Sequence, residues 1–309
     1  MTAIILRWAI GAAAAVLMVA TIAFVMTEML PGNTAFQVAA ARYDAERVTP
    51  ETVRDVRHEL RLDDDAARRF ARWFAAIATG ELGRSTVTDQ PVWAKMAAPL
   101  MRTLLMAAVA WPSSLVLGVT LGAWLGLSRR GLAAANALGA LAAGTPSYVV
   151  GFVLGAVFAI ALGWLPVAGH GDVAHLVLPA ATLALLGGLR LSLVTARAVA
   201  AARSDPSIAF ARMKAVDRFR ILVLHNLPLA APVIVAYSFL GLAFMLEGAT
   251  VVETVFAYPG LGRLLIDAVR ARDVPVIQGA AVVIAIGVVT ANTLADALAA
   301  RLNQMIGRS

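Results

Sequence analysis

The stretch ARSDPSIAFARMKAVDRFRILVLHNLP, from Ala202 to Pro228, separates two long apolar runs in the C-terminal half of the chain. It contains five cationic and two acidic residues: Arg203, Arg212, Lys214, Arg218 and Arg220 against Asp205 and Asp217. Basic segments beside membrane spans lie preferentially in the cytoplasm. This stretch, called the hinge below, is therefore predicted to be cytoplasmic, and it sets the orientation of the apolar runs around it.

The composition of the whole chain indicates a membrane protein. The chain has 309 residues, 60% of them hydrophobic, and a mean hydropathy of +0.79, whereas soluble domains are about 45–50% apolar. The net charge is +7, and the basic residues lie mostly between apolar runs. Membrane orientation explains this distribution better than a nucleic acid partner does. Cysteine is absent, so disulfides and thiol chemistry are excluded.

Six apolar runs are long enough to cross a bilayer, which takes about 20 residues. They are Trp8–Leu30, Thr103–Leu127, Gly131–Leu165, Leu176–Thr195, Leu229–Val252 and Val276–Ala300. Six spans place both termini in the cytoplasm with the hinge. A signal peptide competes for the first run, but no clean small-residue cleavage site follows it, so a retained helix is favoured.

The third of these runs is interrupted by the residues Gly-Thr-Pro-Ser at positions 144–147. If the run were two spans, the hinge would face outward, against the usual charge distribution. One broken, tilted span is therefore predicted, since such breaks are tolerated where neighbouring helices cover the backbone.

Residues 31–98 form the longest polar segment, with ten Lys/Arg and ten Asp/Glu. Thr49 before Pro50 is typical of a helix start, and the acidic residues 63–65 precede a second run with aromatic residues near helical spacing. A small helical domain outside the bilayer is predicted. The predicted domains are the first transmembrane helix (1–30), this external helical segment (31–98) and a five-helix core with the hinge (99–309).

Asp205-Pro206 is predicted to start a short helix in the hinge, because a carboxylate caps free N–H groups and proline fits the first helical position. One face of that helix is apolar: it carries Ile208, Ala211 and Ala215, with Phe210 and Met213 beside them and Arg212 and Lys214 pointing elsewhere. Such a face lies in the lipid interface or fills a groove on another protein, and the residues alone leave both open.

Ionisable groups inside the spans are candidates for a translocation path, because charges in a bilayer usually face protein or water. Glu247 in the fifth span is the clearest candidate, and Arg190 lies in the fourth. Glu253 follows Glu247 at a spacing that does not favour a tight pair. For Glu247, a path-lining role and a structural pairing with Arg190 both stay open.

Motifs for catalysis are missing from the sequence. The chain has no phosphate loop, no His-Glu-x-x-His pair and no Gly-x-Ser-x-Gly elbow. Its four histidines are scattered, so no metal site is expected. A non-catalytic role is therefore predicted.

Longer motifs resemble one transporter family along nearly the whole chain. VVETVFAYPGLGRLLIDAVRARDVPVIQG (Val251–Gly279) is similar to the signature of the dipeptide/oligopeptide/nickel permeases of ABC importers, and FARMKA (Phe210–Ala215) resembles their coupling loop. LPGNTA (Leu30–Ala35), GELGRS (Gly80–Ser85) and LGWLPVAG (Leu162–Gly169) match in the same order. The resemblance implies an all-α integral membrane protein with six transmembrane helices and a type I ABC importer-like fold. The long external segment implies the subunit of the permease pair that carries it.

In that family the hinge contains a coupling helix that docks on a separate ATP-hydrolysing subunit. The resemblance carries this role to positions of about 204–216: Asp205, Pro206, Phe210, Ala211, Arg212, Met213, Lys214 and Ala215. It implies a second homologous permease, two ATP-binding subunits and an extracytoplasmic substrate-binding protein. ATP and Mg would bind the partner ATPase, with no cofactor in this chain. Short peptides are the commonest cargo of the family, and nickel and other small solutes are alternatives.

The residues leave two competing functions, a secondary transporter driven by protons or ions and an intramembrane enzyme. The first needs more paired carboxylates at mid-membrane than the sequence offers, and the second needs a convergent acid, base or metal cluster.

The chain departs from the family that it resembles at Ala215, where the family has glycine. If that position needs a left-handed backbone, alanine costs about 1–2 kcal/mol. Otherwise the turn is a continuous or differently capped helix.

Overall fold

The computed structural model describes residues 2–29, 33–43, 45–60 and 63–306, and the regular elements in those ranges are helical. They are α1 Thr2–Met29, α2 Thr34–Tyr43, a 3-10 turn Ala45–Arg47, α3 Pro50–Glu59, α4 Ala66–Ala78, α5 Val92–Leu125, α6 Arg129–Gly144, α7 Ser147–Leu154 with a π-helical continuation Gly155–Ala161, α8 Ala174–Ala202, α9 Pro206–Met213, α10 Arg218–Ile221 with a π-helical continuation Leu222–Asn226, α11 Leu227–Val255, α12 Leu261–Arg270 and α13 Val274–Ile306. This confirms the predicted all-α fold class.

The helices account for the predicted membrane spans. Within the described ranges, five stretches are long and apolar enough to cross a bilayer: Ala9–Met26, Val92–Leu125, Ala174–Ala202, Arg218–Val255 and Val274–Leu302. Helix α6 and the stretch Ser147–Ala161 pass the same test together and make a sixth span when they are counted as one. Within the described residues, the six predicted runs therefore coincide with these helices apart from residues 126–127, 145–146 and 162–165.

The third span breaks where the sequence predicts, although the bend is sharper than a tilted helix implies. The axes of Arg129–Gly144 and Ser147–Ala161 differ by 98°. Thr145 is extended, with ψ 119°, and Pro146 follows with φ −64°. A residue before proline avoids the helical region, so the chain leaves α6 at Thr145 and starts a new helix after Pro146.

The chain divides into two compact units. One consists of Met1–Arg102 with Pro259–Val289, and the other of Thr103–Tyr258 with Thr290–Ser309. The first unit contains the polar segment that the sequence places outside the bilayer, and the second unit contains the hinge.

In the second unit, glycines of α5 let its backbone approach α8 closely. A Cβ atom added to Gly122 would lie 2.4 Å from the Ser192 carbonyl oxygen, and one on Gly126 would lie 2.7 Å from the Ala196 carbonyl oxygen. A Cβ atom added to Gly118, one turn earlier, would lie 2.7 Å from side-chain atoms of Leu191. Glycine at intervals of four gives membrane helices this close approach, where packing rather than the hydrophobic effect holds helices together.

In the first unit, the polar segment contains the helices that its caps predict, and its separation as a domain stays a prediction. The hydroxyl of Thr49 accepts a hydrogen bond from the Thr52 backbone N–H, and the Thr52 hydroxyl accepts one from the Thr49 N–H, which closes a capping box before α3. Helices α2 and α3 then bury a compact cluster of aliphatic residues: Ala35, Val38, Ala39 and Val56. The second predicted helix is also confirmed, because α4 begins at Ala66, directly after the acidic residues 63–65.

A buried carboxylate joins the loop before α5 to the start of α13 in the first unit. Asp273 is 1% exposed and accepts hydrogen bonds from the Ser85 hydroxyl at 2.5 Å and the Thr86 backbone N–H at 2.9 Å. The Lys95 ammonium lies 3.0 Å from the same carboxylate. Ser85 ends the motif GELGRS and Asp273 lies in the signature motif, so these distant motifs meet at one ion pair.

We predict that Asp273→Ala lowers the free energy of unfolding by about 3 kcal/mol, because it leaves the Lys95 ammonium and the Ser85 hydroxyl without their shared acceptor. The matched control is Asp63→Ala, which removes a carboxylate from an exposed pair with Arg57 and should cost less than about 1 kcal/mol. Chemical unfolding of the purified chain in detergent compares the two. Equal losses for both variants would contradict the assignment.

Candidate functional site

The hinge helix α9 begins as the sequence predicts. The Asp205 carboxylate accepts hydrogen bonds from the Ser207 hydroxyl at 2.6 Å and from the Ser207 backbone N–H at 2.9 Å, and Pro206 occupies the first turn. These bonds, that of the hydroxyl above all, hold the pKa of Asp205 below its ordinary value. The cap therefore stays negatively charged at the positive end of the helix dipole.

The apolar face of α9 is turned into the second unit. Ile208 is 0% and Ala211 is 5% exposed, and both pack with Ile221 of α10, with Val216 and Leu229 at the edge of the cluster. Ile208 and Ala211 therefore pack inside this chain and do not contact lipid or a partner protein. The rest of the predicted apolar surface, Ala215 with Phe210 and Met213 beside it, is exposed.

The outward side of the hinge carries apolar side chains beside cationic ones. Phe210 is 54%, Met213 is 77% and Phe219 is 70% exposed, and Arg212 and Lys214 are exposed between them. The Lys214 ammonium lies 4.5 Å from the centroid of the Phe210 ring, a cation–π contact. We call these five residues the exposed hinge surface. Apolar side chains grouped on a charged surface are typical of an interaction site.

Helix α9 ends with Ala215 in the left-handed region, at φ 56°. The Ala215 N–H donates to the Arg212 carbonyl at 3.0 Å, and the Val216 N–H donates to the Ala211 carbonyl at 3.2 Å. These two bonds form a Schellman motif, and Val216 packs in the cluster of Ala211, as the motif requires. The left-handed alternative is therefore confirmed, and the continuous helix is wrong.

Because glycine reaches positive φ without a Cβ penalty, we predict that Ala215→Gly raises the free energy of unfolding by about 1 kcal/mol. The matched control is Ala209→Gly inside α9, where glycine should lower stability by about 1 kcal/mol. Thermal unfolding of the purified chain reads out both substitutions. A lower midpoint for Ala215→Gly would contradict the strain assigned to this turn.

A second polar site lies at the break between α6 and α7. A cavity of about 330 Å³ opens there, lined by residues 144–147, by Arg190 of α8 and by Tyr237 and Glu247 of α11. All of these residues belong to the second unit. The site therefore combines a broken helix with one cationic and one anionic side chain from its neighbours.

Arg190 stabilises the break directly. Its Nε and Nη2 atoms donate to the Ala142 carbonyl oxygen at 3.2 and 3.0 Å. In an uninterrupted helix this oxygen would accept from the N–H of residue 146, but Pro146 has no N–H. Ala142 is 1% exposed, so the guanidinium supplies the donors that the proline cannot.

Glu247 is exposed on the wall of this cavity. Within the part of the chain that the structure describes, no ion pair joins its carboxylate to Arg190. The structural pairing that the sequence left open is therefore not formed, although both residues reach the same cavity.

Glu253 is not part of the cavity. Its side chain is 0% exposed and accepts a hydrogen bond from the Thr103 hydroxyl at 2.5 Å, which joins α11 to α5. Of the three residues predicted for the path, the structure brings Glu247 and Arg190 together and buries Glu253 elsewhere.

Comparison with known proteins identifies the family. Residues 114–308 match the family described as binding-protein-dependent transport system inner membrane component, and residues 1–107 match the N-terminal family of the same transport systems. The chain belongs to this family. The permease is 31% identical over 308 residues to a putative peptide transport system permease protein of Brucella abortus (strain 2308), with 96% of each chain covered.

Further relatives are named as glutathione permeases. The glutathione transport system permease protein GsiC of Salmonella paratyphi A is 30% identical to the permease over 306 residues, with 98% of each chain covered. GsiC of Escherichia coli O6:H1 is 29% identical over 304 residues, again with 98% of each covered. These matches confirm the resemblance that the motifs indicate.

The family settles the general role. The permease is a multi-pass membrane subunit of an ABC importer, with ATPase and binding-protein partners, and it is not an enzyme. The roles of its individual residues in coupling and translocation stay predictions.

The interaction of Arg190 with the break was missed at the level of sequence, although a signal exists. Pro146 follows Ala142 by four residues, so the proline removes the helical donor for that carbonyl. A span with a missing donor needs a replacement from a neighbouring helix, and Arg190 was a candidate.

We predict that Arg190→Met lowers the free energy of unfolding by about 1–3 kcal/mol, because it leaves the buried Ala142 carbonyl unpaired. In a Pro146→Ala background, residue 146 has an N–H again, so the same substitution should cost about 1 kcal/mol less. Unfolding midpoints of the four variants of this cycle measure the coupling. Strict additivity would contradict the proposed link between Arg190 and the proline.

Proposed function

We propose that the permease imports short peptides across the cytoplasmic membrane by alternating access. The observation that carries this proposal is the match to peptide and glutathione permeases over 96–98% of the chain. Glutathione is a tripeptide, so short peptides are common to both sets of named relatives. Uptake of labelled di- and tripeptides into vesicles that contain the assembled importer tests the proposal. Uptake in the absence of ATP would favour a secondary transporter instead.

The exposed hinge surface is the part of this chain that contacts the ATPase. Three observations support this role: Phe210 and Met213 are exposed on a short capped helix, Arg212 and Lys214 lie beside them, and the opposite face is packed into the second unit. Because the packed side of α9 is fixed to this chain, a movement of its exposed side is passed on to the spans that it contacts. ATP and Mg bind the ATPase, and this chain supplies the docking residues.

The hinge role predicts a loss of coupling on charge reversal. In Arg212→Glu/Lys214→Glu the buried face of α9 is unchanged, so the chain should still fold and assemble. ATP-driven peptide uptake should fall about tenfold or more, as expected for loss of at least 1.4 kcal/mol of docking energy. ATPase activity and peptide uptake of the reconstituted importer are measured together.

The matched control is Arg129→Glu/Arg130→Glu, which reverses two exposed charges at the start of α6. It makes the same change in net charge away from α9, so it should leave coupling intact. Normal coupled uptake in the hinge variant, or equal loss in the control, would contradict the docking role.

The cavity at the helix break lies on the translocation path. Its wall combines the exposed carboxylate of Glu247 with a helix break that Arg190 holds, and intramembrane charges commonly mark solute pathways. A peptide in its zwitterionic form has an ammonium end that a carboxylate attracts and a carboxylate end that a guanidinium attracts.

We predict that Glu247→Gln changes the rate of peptide uptake several-fold while assembly with the ATPase is kept, because it removes a charge from the path without changing its size. The control is Asp296→Asn, which makes the same chemical change at an exposed acid of α13. Uptake assays on assembled importers compare the two variants. If Glu247→Gln transports at the normal rate, the carboxylate is not part of the path.

The complete importer contains a second homologous permease, two ATP-binding subunits and an extracytoplasmic binding protein. In this arrangement both termini and the hinge are cytoplasmic, and residues 31–98 face the binding protein. The distribution of basic residues supports this orientation, with Arg129, Arg130 and the hinge on one side. Labelling of single cysteines from either side of the membrane tests it.

A further inference from the structure

The first unit contains a cationic cavity that import does not explain. The cavity has a volume of about 580 Å³, and helices α1 to α4, the loop after α4 and the start of α13 form its walls. Four arginines reach it: Arg57, Arg69, Arg84 and Arg272. Among the described residues that line it, Glu59 is the single acid.

The carboxylate of Glu59 does not neutralise this cluster, because it already binds another cation. Arg42, which is not part of the wall, donates to both oxygens of Glu59 at 2.7 and 3.1 Å. The hydrogen bonds that Arg42 donates to Glu59 in turn raise the pKa of Arg42. A bidentate pair of this kind is strong, so Glu59 is already engaged with a cation outside the four arginines of the wall.

Two of the arginines are held by contacts that an incoming anion can replace. Arg57 Nη1 lies 3.4 Å from Asp63, and Arg84 Nε lies 2.8 Å from Asp89. The side chains of both arginines are exposed, at 48% and 60%. Exposed pairs contribute little to stability, whereas hydrogen bonds to a charged ligand are stronger, so a bound anion can displace both aspartates.

Aromatic side chains place the cavity at the edge of the bilayer. Phe24 of α1 and Trp73 of α4 line it, and Phe70 of α4 packs edge-on against Phe24 with ring centroids 5.3 Å apart. Phe24 precedes the end of α1 at Met29 by five residues, or about 8 Å of helix. Trp is enriched at the boundary between acyl chains and headgroups, which fits the position of Trp73 beside the end of α1.

We propose that this cavity binds the headgroup of an anionic phospholipid, with its phosphate held by the arginine cluster. The apolar part of the wall, which includes Phe24, Val38 and Trp73, fits the glycerol end of the acyl chains. A free anion would leave that apolar surface wet, whereas an amphiphile covers both halves of the site. Arginine suits the ligand because its planar fork binds two phosphate oxygens at once.

The test uses the full permease, purified with its partner subunits in mild detergent. Native mass spectrometry measures retention of phosphatidylglycerol against phosphatidylcholine with the same acyl chains. We expect the unaltered permease to prefer phosphatidylglycerol by about tenfold or more, since two charge-assisted hydrogen bonds exceed 1.4 kcal/mol. Arg57→Gln/Arg84→Gln should remove most of this preference, and Arg69→Gln should weaken it independently.

The matched control is Arg47→Gln/Arg54→Gln, which removes two exposed charges from the same segment outside the cavity wall, and it should keep the preference. Equal retention of the two lipids by the unaltered permease would overturn the proposal, as would an unchanged preference in the Arg57 and Arg84 variant. Displacement of the lipid by millimolar glycerol phosphate would show a site for a free anion. Loss of binding-protein affinity with an unchanged lipid preference would show a protein docking site instead.

Discussion

A backbone carbonyl inside a bilayer must find a donor, because no water is there to supply one. The permease breaks its third span at Pro146 and so removes the N–H that the Ala142 carbonyl would use. Arg190 replaces that donor from α8. Pro146 sets the sharp bend, Arg190 supplies the donor that the proline removes, and Glu247 lies on the wall of the cavity beside them.

Backbone groups need hydrogen-bond partners in the hinge too, and at each end of α9 they find them in neighbouring residues. Asp205 caps the first N–H groups, and a Schellman turn through Ala215 satisfies the last carbonyls. The second arrangement needs a left-handed residue, and alanine adopts that conformation at a cost of about 1–2 kcal/mol. The strain is offset by the cluster of Ile208, Ala211 and Val216, which fixes the turn from inside. A helix capped at both ends and packed along one side moves with its neighbours, and such rigidity suits a coupling element.

The sequence predicts what depends on local chemistry. The spans follow from apolar length, the start of α9 from Asp205-Pro206 and the capped start of α3 from Thr49-Pro50, because a few adjacent residues decide each of them. Features that join distant positions were not predictable in this way. Asp273 meets Ser85 across 188 positions, and no periodicity relates them. The burial of Ile208 and Ala211 was not predictable for the same reason, since they pack against Ile221, which lies outside α9. Helical spacing predicts that Glu253 and Glu247 do not pair. It does not predict that Glu253 accepts a hydrogen bond from Thr103, because that contact depends on the packing of α5 on α11.

The central claim is that the exposed hinge surface, and not the buried face of α9, contacts the ATPase. Because the chain has no cysteine, a single introduced thiol reports on one position. In assembled importers that carry Met213→Cys, a short thiol-to-amine cross-linker should join the permease to its ATPase subunit, whereas Ile208→Cys should give no such product. Failure of Met213→Cys to cross-link in an active importer, or cross-linking from Ile208→Cys alone, would contradict this account of coupling.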